Sequence, residues 1–580
     1  MINPSLRAAP LSLRPPVPGV SRMKRIRRIT ALTVALGALV TLAPASATAT
    51  EGTAQPVAGR MPLGPEHLTA VAKVSEPAPG ITYEKYTQGQ ATDHWSVELL
   101  IDYPGGSAWS VGNDDHAVAL LGRLQDKGLT GKLYTRELPA GPGVGAGMPR
   151  QHMVRVGEFG PSGSADADAM LKVLQEKGFT GRTVYTAQDG NESTGPWEVR
   201  VVRVDPSADV MFKAVHGSDV SSAQTVREMS AAAGALVAVN GSDFDIKSTN
   251  NPSYTGPATG DPQGLYVQNN TLLSEANNGR SALLLEGAGS RVRIDEVTSR
   301  TQVTAPDGSV RAIDGINRVP GRNFGCGGIG GDLREKSKGV FVPELRPLRN
   351  TLCVDADEIV VFRPEWGSTT PPPRAEVTKS VDIVMDGNWV VKEKRVPAGG
   401  AIPAGGRVLQ GIGAGADWLL AHHTVGQPFK PGTSITDSAG VPVTSSTFSA
   451  VAGGGPALVR NGEILINADA NGMLNPDTNV VTNAVIQRHP RTLAGVTAAG
   501  ELLLVTIDGR IPQTSIGVTI HEAAAVMKWL GAKDAVSLGS GGDTTLLINN
   551  TLYNRPMDTW QDTTPTERAV GNAVVVVPKP

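Results

Sequence analysis

Aromatic residues, cysteines and an excess of charge of either sign are all scarce in this sequence of 580 residues. Phe, Trp and Tyr make up 4% of the chain, there are two cysteines, and the formal net charge is −2. This balance argues against a nucleic-acid-binding protein, because no surplus of positive charge is available to neutralise phosphates. Turn formers are abundant, with 68 Gly and 42 Pro. The composition therefore favours several domains built from strands and turns over long helical bundles.

The N-terminal segment 1–49 has the pattern of a secretory signal peptide. Basic residues at 24–28 precede an apolar run from Ile29 to Leu42, and small residues at 45–49 offer a cleavage site. The run is short for a membrane span, and a retained membrane anchor is the alternative. We expect a secreted, extracellular protein, associated with the cell wall and free of the membrane after cleavage.

The two cysteines, Cys326 and Cys353, are 27 positions apart. Zinc would need four ligands, and no nearby cluster of His or Cys completes a set. In an exported protein such a pair is typical of a disulfide. We expect a bond that stabilises the fold by roughly 3 kcal/mol in a chain-entropy description.

An internal repeat follows a segment, 50–90, that we interpret as a linker. A helical pattern at 119–131 returns 50 positions later at 169–181, and each copy ends in a Lys-Gly pair suited to a helix C-terminus. Strands are expected on either side of each helix, at Trp95–Ile101, Lys132–Arg136, Gln151–Val156 and Arg182–Thr186. Over 91–190 this predicts a small α+β tandem-repeat domain.

The repeat resembles the sporulation-related repeat (SPOR) domain, which binds the glycan strands of peptidoglycan. The resemblance covers about 100 residues and implies peptidoglycan as a partner. A purely structural α+β spacer is the alternative.

The remainder, 195–580, predicts a β-rich domain with a few helices, so that the whole chain belongs to the α+β class. The block 300–450 is interpreted as a subdomain or an insertion. Strands are expected at Trp197–Val204, Ala235–Val239, Glu358–Phe362, Val381–Met385 and Leu502–Ile507. Helices are expected at Ser221–Ala233, Asp417–His422 and Thr519–Leu530.

Polar residues collect beside glycines directly after or before apolar strands, at 238–245, 453–459, 489–492 with 508–510, and 537–545. Arg491 and Arg510 are candidates for holding a phosphate through paired hydrogen bonds. Gly541 and Gly542 would let backbone amides approach an anion. The carboxylates available to act on a glycosidic bond are Asp243, Asp245, Asp508, Glu522 and Asp543.

These segments, in this order, resemble the phosphodiester glycosidase family, which includes an enzyme that removes N-acetylglucosamine from a phosphodiester. The resemblance spans about 195–577 and is strongest after Gly453. It is carried by Asn240-Gly241 with Phe244, Gly453–Pro456, His489–Thr492, Asp508–Arg510, Ser515–Thr519 with Glu522, Asn554–Pro556 and Glu567-Arg568. It implies a hydrolase that cleaves a sugar-1-phosphate linkage in a carbohydrate phosphodiester. The expected location, rather than any residue, favours wall polymers or exopolysaccharide as substrates, and no cofactor is expected.

The resemblance also implies roles for particular residues. The expected catalytic residues are Asp243, Asp508, Asp543 and Glu522. The expected substrate- and phosphate-binding residues are Asn240, His489, Arg491, Arg510, Gly541, Gly542, Thr544, Thr545 and Arg555.

One segment departs from the family pattern, which reads roughly Asn-Leu-Asp-Gly-Gly-Gly-Ser-Thr-Thr where this chain has residues 537–545. The acidic residue of the third place is Gly539 here, and a carboxylate stands four places later as Asp543. Either Asp543 takes over the acidic role, or activity is altered. The alternative function is a non-catalytic protein that binds wall glycan or phosphate.

Metal signals in the sequence are weak. Asn467, Asp469 and Asn471 with Gly472 imitate the start of a calcium loop, but Thr478 stands where the bidentate Glu belongs. Calcium is therefore kept as an alternative to a metal-free protein.

Overall fold

The computed structural model describes residues 55–56, 60–102, 108–109, 114–136, 151–246, 260–287, 289–443, 447–477 and 481–580. The predicted signal peptide lies outside these residues. All described residues fall within one compact unit, Ala49–Pro580. No helix among them is long and apolar enough to cross a membrane.

A nine-stranded antiparallel sheet, called the central sheet here, forms the middle of the fold. Its order is Gln55–Pro56, Ala70–Ala78, Ile81–Gln88, Trp197–Val204, Leu502–Ile507, Arg491–Thr497, Ala532–Ser540, Ala457–Arg460 and Glu463–Ile464. Side chains alternate between two cores, with Leu503 and Val505 on one face and Leu502 and Leu504 on the other. Burial on both faces explains why these strands read as continuous apolar runs.

Each face of the central sheet is covered by a different layer. One face packs against the helix Ile520–Trp529, whose Ala523 and Met527 are fully buried in the shared core. The other face packs against a five-stranded sheet in the order Val210–Val215, Ala573–Pro578, Val237–Asn240, Leu546–Ile548 and Thr551–Leu552.

The central sheet also corrects the predicted linker. Ala70–Ala78 and Ile81–Gln88 form a hairpin, and the second strand pairs along its whole length with Trp197–Val204. The hairpin has one exposed face rich in polar residues, so it lacks the apolar run that marks the inner strands. Residues 91–190 are thus inserted between two neighbouring strands of one sheet.

The inserted segment forms a four-stranded sheet of its own, in the order Lys132–Arg136, Gln151–Phe159, Trp95–Leu99 and Gly181–Tyr185. The helices Asp114–Asp126 and Ser164–Glu176 connect its strands at the predicted offset of 50 positions. Ile101–Asp102 and Ala108–Trp109 pair beside it. The strands and helices lie close to their predicted positions, whereas glycan binding by this unit stays a prediction.

Several smaller sheets lie beside the central sheet, and many of their strands come from the block 300–450. A seven-stranded one contains Thr271–Ser274, Tyr266–Gln268, Thr447–Ala452, Arg280–Glu286, Arg291–Thr304, Val310–Ile313 and, paired to its long strand, Lys430–Thr436. A five-stranded one contains Gly315–Ile316, Ile359–Phe362, Arg407–Ile412, Ser380–Met385 and Val391–Arg395. Two pairs are Gln224–Thr225 with Ala569–Val570, and Thr369–Thr370 with Gly400–Ala401.

The disulfide lies in a four-stranded sheet of Asn323–Cys326, Pro347–Val354, Leu333–Ser337 and Val340–Pro343. Cys326 and Cys353 are bonded, with their Cα atoms 5.3 Å apart, which confirms the predicted bond. The bond links two adjacent strands of this sheet.

The remaining helices are short. They are Val226–Ala233, Gly413–His422 and Asn483–Ile486, with 3-10 turns at Thr186–Asp189, Pro364–Trp366 and Gly541–Asp543. The first begins five residues later than predicted, because Gln224–Thr225 pairs as a strand and the Thr225 side chain caps the helix. Thr519 and Glu522 form the same reciprocal cap on the helix Ile520–Trp529.

Candidate active site

Three polar segments meet at one edge of the central sheet because of strand register. Arg491 lies opposite Ile507 in one neighbouring strand and opposite Ser540 in the other. Since the pairing is antiparallel, the residues that precede Arg491 lie beside those that follow Ile507 and Ser540. The side chains brought together in this way include His489, Arg510 and Asp543.

Asn240 joins the fourth segment to this edge. Its amide nitrogen donates to the carbonyl oxygen of Gly539 at 2.9 Å. Its amide oxygen accepts from the Thr492 hydroxyl at 2.6 Å and from the Thr545 backbone N–H at 3.1 Å. The side chain is 1% exposed. Asn240, predicted to bind substrate, therefore holds three segments of the site together through contacts within the protein.

Asp243, three residues after Asn240, forms a buried ion pair. The Arg349 guanidinium donates to both carboxylate oxygens, through Nε at 2.7 Å and Nη2 at 3.2 Å. Arg280 lies 4.0 Å from the same carboxylate. Gly454 packs here without a side chain, since a Cβ would lie 2.8 Å from Oδ1 of Asp243. The Gly-Gly-Gly turn at 453–455 is thus needed for close approach.

Asp543 is the second carboxylate of the site, and it sits among several charges. It accepts from Arg568 Nη1 at 2.8 Å and is 6% exposed. Burial and the charge of Asp243 raise its pKa, the Arg568 and Arg349 guanidinium groups oppose the rise, and the net pKa is about 6. A carboxyl with this pKa exchanges a proton near neutral pH. Asp243 and Asp543, both predicted from the sequence, thus act on each other electrostatically.

Arg510 faces the same space and is held by backbone groups. It donates to the carbonyl oxygens of Met557, at 3.1 Å, and Asp558. Burial and the neighbouring Arg568 lower its pKa to about 10. A Cβ on Gly541 would lie 3.2 Å from its Nη2, so a glycine there gives the guanidinium room.

Arg491 is 2% exposed and donates only to backbone carbonyl oxygens among the described residues. Burial lowers its pKa to about 9, with added repulsion from Arg349 and Arg510.

His489 contacts Arg510 through Nδ1 at 3.2 Å. Its pKa is held well below the ordinary value by burial and by the three arginines Arg491, Arg510 and Arg349, so the imidazole is neutral. In that state Nδ1 can accept the hydrogen bond from Arg510.

The site therefore contains more positive than negative charge. The five guanidinium groups are Arg280, Arg349, Arg491, Arg510 and Arg568, and the four carboxylates are Asp243, Asp543, Asp558 and Asp562. A buried surplus of guanidinium charge is unfavourable unless an anion balances it. This arrangement is suited to a phosphate group.

Asp508 and Glu522, predicted as catalytic, have structural partners instead. Asp508 is fully buried, accepts from Arg200 Nη1 at 2.5 Å and takes a second bond from the Arg555 backbone N–H. Glu522 caps its own helix and pairs with Arg488 at 2.6 Å. These contacts tie both carboxylates to groups of the protein, which motif spacing does not reveal.

Several predicted binding groups are also committed elsewhere. The Gly541 N–H donates to the Pro490 carbonyl oxygen at 2.9 Å, so it does not serve an anion. Thr544 and Thr545 are fully buried, and the Thr545 hydroxyl donates to the Asp543 carbonyl oxygen, whereas the Thr544 hydroxyl has no partner among the described residues. The Arg555 guanidinium contacts Thr514 at the surface. In the calcium-like loop the side-chain amides of Asn467 and Asn471 are also used within the protein, because they bond to protein groups.

Sequence reasoning missed Arg349 and Arg280, which lie outside the polar glycine turns. Arg349 comes from the strand that carries Cys353, inside the block interpreted as an insertion. Arg568 was part of a motif but received no role, although it is the partner of Asp543. Their only sequence signal is an arginine in an otherwise apolar or turn-rich setting.

Residues 379–577 match the model of the phosphodiester glycosidase family. The match includes His489, Arg510 and Asp543, whereas Asp243 and Arg349 precede it. The fold of most of the chain recurs in the crystal structure of a protein from Burkholderia pseudomallei K96243. That protein has 25% identity and a TM-score of 0.76, over 91% of this chain and 100% of the other.

The chain is also similar to N-acetylglucosamine-1-phosphodiester alpha-N-acetylglucosaminidase of Bos taurus, with 30% identity over 128 residues. The alignment covers 20% of this chain and 23% of the bovine protein. The Mus musculus enzyme of the same name is 31% identical over 107 residues, 18% of this chain and 20% of the other. The chain thus spans less than a quarter of the length of these curated relatives.

Proposed function

We propose that the protein hydrolyses glycosyl phosphodiesters, releasing a sugar and a phosphate monoester. The observation that carries this proposal is the site itself, where Asp243 and Asp543 lie buried within a surplus of arginine charge. The names of the curated relatives and the family of residues 379–577 support the same reaction class.

The arginines suit the leaving group of this reaction. When the bond between the anomeric carbon and the ester oxygen breaks, the electron pair goes to a phosphate monoester, and negative charge grows there. Arg510 and Arg349 stabilise that charge from fixed positions, since each is held by protein contacts before any substrate arrives. A phosphate monoester is a weak base, so it can leave without being protonated by the enzyme.

Asp543 is assigned the part of general base. Its ionised carboxylate would take a proton from water as the water oxygen attacks the anomeric carbon. A pKa of about 6 leaves it ionised at neutral pH while keeping it basic enough to accept that proton. Asp243 has a different part, because both of its oxygens are bonded to Arg349 and fix that guanidinium.

The test is release of free sugar from a synthetic N-acetylglucosaminyl phosphodiester by the purified chain. We expect turnover in the wild type and a loss of roughly a hundredfold or more in Asp543→Asn, as is usual for removal of a general base. Asp209→Asn is the matched control, because that side chain is 90% exposed, and it should behave as wild type.

Two results would contradict the proposal. One is near-normal turnover in Asp543→Asn with an unchanged fold. The other is absence of turnover across a panel of sugar phosphodiesters while inorganic phosphate still binds, which would favour the alternative of a non-catalytic binding protein.

We also propose that the protein is secreted and acts at the cell wall, with peptidoglycan bound by the inserted unit 91–190. Support comes from the N-terminal sequence pattern and from the disulfide, which is typical of oxidising compartments. Fractionation of the producing cells should find the processed chain in the medium and on isolated sacculi. A chain that stays with the cytosol, or that sacculi do not retain, contradicts these two parts respectively.

A further inference from the structure

A tight turn lies beside Arg510 and holds its side chain. Two backbone carbonyl oxygens of this turn, called the 557–562 turn here, accept hydrogen bonds from the Arg510 guanidinium. The N–H and the hydroxyl of Thr559 both donate to the Asp562 carboxylate at 2.7 Å, which closes the turn. The place of the guanidinium therefore depends on the place of the 557–562 turn.

The backbone of Arg510 also depends on its surroundings. Its φ is +64°, in the left-handed region that a residue with a side chain rarely adopts. A conformation of this kind costs free energy and persists only where neighbouring contacts hold it. The hydrogen bonds to the 557–562 turn are such contacts, so a shift of the turn would release Arg510 from its position in the site.

The 557–562 turn is attached to the inserted unit. The rings of Trp560 and Tyr185 pack with their centroids 5.3 Å apart, a distance typical of aromatic pairs. The Gln561 amide donates to the Thr183 carbonyl oxygen at 3.5 Å. Trp560 is half-buried and packs against the core on one face of the central sheet, to which Tyr185 also belongs. The turn that holds Arg510 thus rests on one strand of the inserted unit.

Tyr185 offers the turn a fixed surface. It is fully buried, its hydroxyl donates to a backbone carbonyl oxygen at 3.2 Å, and its ring packs with Trp95 at 5.3 Å between centroids. A second contact of the inserted unit reaches the chain shortly after Arg510, where Gln513 Nε2 donates to the Ser162 hydroxyl at 3.3 Å. The inserted unit therefore contacts two of the segments that surround Arg510.

We propose that Trp560 is a positioning residue for the anion site. By packing on Tyr185 it fixes the 557–562 turn, and the carbonyl oxygens of that turn fix the Arg510 guanidinium. Trp560 acts through Arg510 and not on the reacting atoms. Small displacements of a group that holds a substrate have large effects on binding and rate. The inference rests on the anion site of the proposed function, and it makes the inserted unit a support of that site.

The test is titration calorimetry of the full chain with inorganic phosphate. We expect Trp560→Ala to weaken phosphate binding about fivefold, the order of effect that residues without ligand contact can have on a distant site. Trp560→Phe keeps an aromatic ring against Tyr185 and should restore most of the affinity.

Trp529→Ala is the matched control. Trp529 is half-buried against the same core, and its ring packs edge-to-face with Tyr86 at 5.0 Å between centroids. It ends the helix Ile520–Trp529 and has no part in holding Arg510. The variant should lower Tm about as much as Trp560→Ala, because both remove a half-buried indole, while its phosphate affinity stays at the wild-type value.

A double variant decides whether Trp560 acts through Arg510. Arg510→Lys combined with Trp560→Ala should bind phosphate no more weakly than Arg510→Lys alone, because residues that act through one another are not additive. Losses that add, an unchanged affinity in Trp560→Ala, an equal loss in Trp529→Ala, or a wild type that binds no phosphate would each overturn the inference. None of these affinities involves turnover, so a chain that binds phosphate but releases no sugar would contradict the proposed hydrolysis alone.

Discussion

Asp508 and Asp543 each follow a strand that ends at the same edge of the central sheet. Both side chains are buried beside an arginine. Asp508 pairs with Arg200, Arg200 also pairs with Glu198, and Glu198 pairs with Lys85, so two carboxylates face two cations and the charges balance. Asp543 pairs with Arg568 within a group of arginines that outnumber the carboxylates around them. An aspartate that follows a strand of the central sheet thus stabilises the fold in one case and lies beside the candidate anion site in the other.

The difference shows that the identity of a residue decides less than the charge balance around it. A buried Asp–Arg pair with all its oxygens bonded is costly to break and chemically inert. Asp543, buried among surplus guanidinium groups, has a pKa of about 6, and the arginines around it can bind a phosphate.

The largest expected effect comes from breaking the balanced pair. Asp508→Asn should lower the free energy of unfolding by about 3 kcal/mol, because Arg200 loses its buried partner while Glu198 still pairs with it. Turnover per folded molecule should stay near the wild-type value. Urea unfolding followed by an activity assay on the folded fraction measures both. A loss of turnover without a loss of stability would place Asp508 in the active site after all.

A smaller effect is expected when Arg510, one of the surplus arginines around Asp543, is replaced. Arg510→Lys keeps the positive charge but removes the planar fork that binds two oxygens at once, so affinity for inorganic phosphate should fall about tenfold. Titration calorimetry with phosphate measures this. Arg555→Lys is the control, since its guanidinium lies at the surface and phosphate affinity should not change. Equal losses in the two variants would argue against the assigned anion site.

The smallest effect concerns pH. Since Asp543 is the proposed general base, kcat/KM should be half-maximal near pH 6, the value of its pKa, and should fall further as the carboxylate is protonated. The linkage to stability has the opposite sign. A raised pKa in the folded state means that folding is most favoured when Asp543 is protonated, and this contribution is lost as pH rises through about 6. A pH–rate profile that stays flat between pH 5 and 7 would contradict the role of Asp543.

Local patterns predicted much of the fold. The strand Leu502–Ile507 and the capped helix after Thr519 could be read from an apolar run and from a Thr-x-x-Glu motif. The hairpin at 70–88 could not, because its exposed face is polar and its pairing partner, Trp197–Val204, lies over 100 positions away. Pairing over such distances leaves no mark in a local window.

The candidate site was predictable in its segments but not in its geometry. Asp243, Asp543 and Arg510 were identified because polar residues follow apolar strands beside glycines. Arg349 was not, because it lies within a strand of a different sheet and reaches Asp243 only in the folded chain. The ion pairs of Asp508 with Arg200 and of Glu522 with Arg488 could not be predicted for a related reason, since both are set by packing.

The strand Ala573–Pro578 lies inside its sheet, between Val210–Val215 and Val237–Asn240, although it is the last strand in the sequence. Asn572, directly before it, accepts from the Ser242 N–H at 2.8 Å and so positions the turn that leads to Asp243. A growing chain cannot complete this sheet until synthesis has reached these residues, and contacts of such long sequence separation form slowly. Shortened products that lack this strand should therefore also lack the ordered turn before Asp243, and we expect them to release no sugar from a phosphodiester.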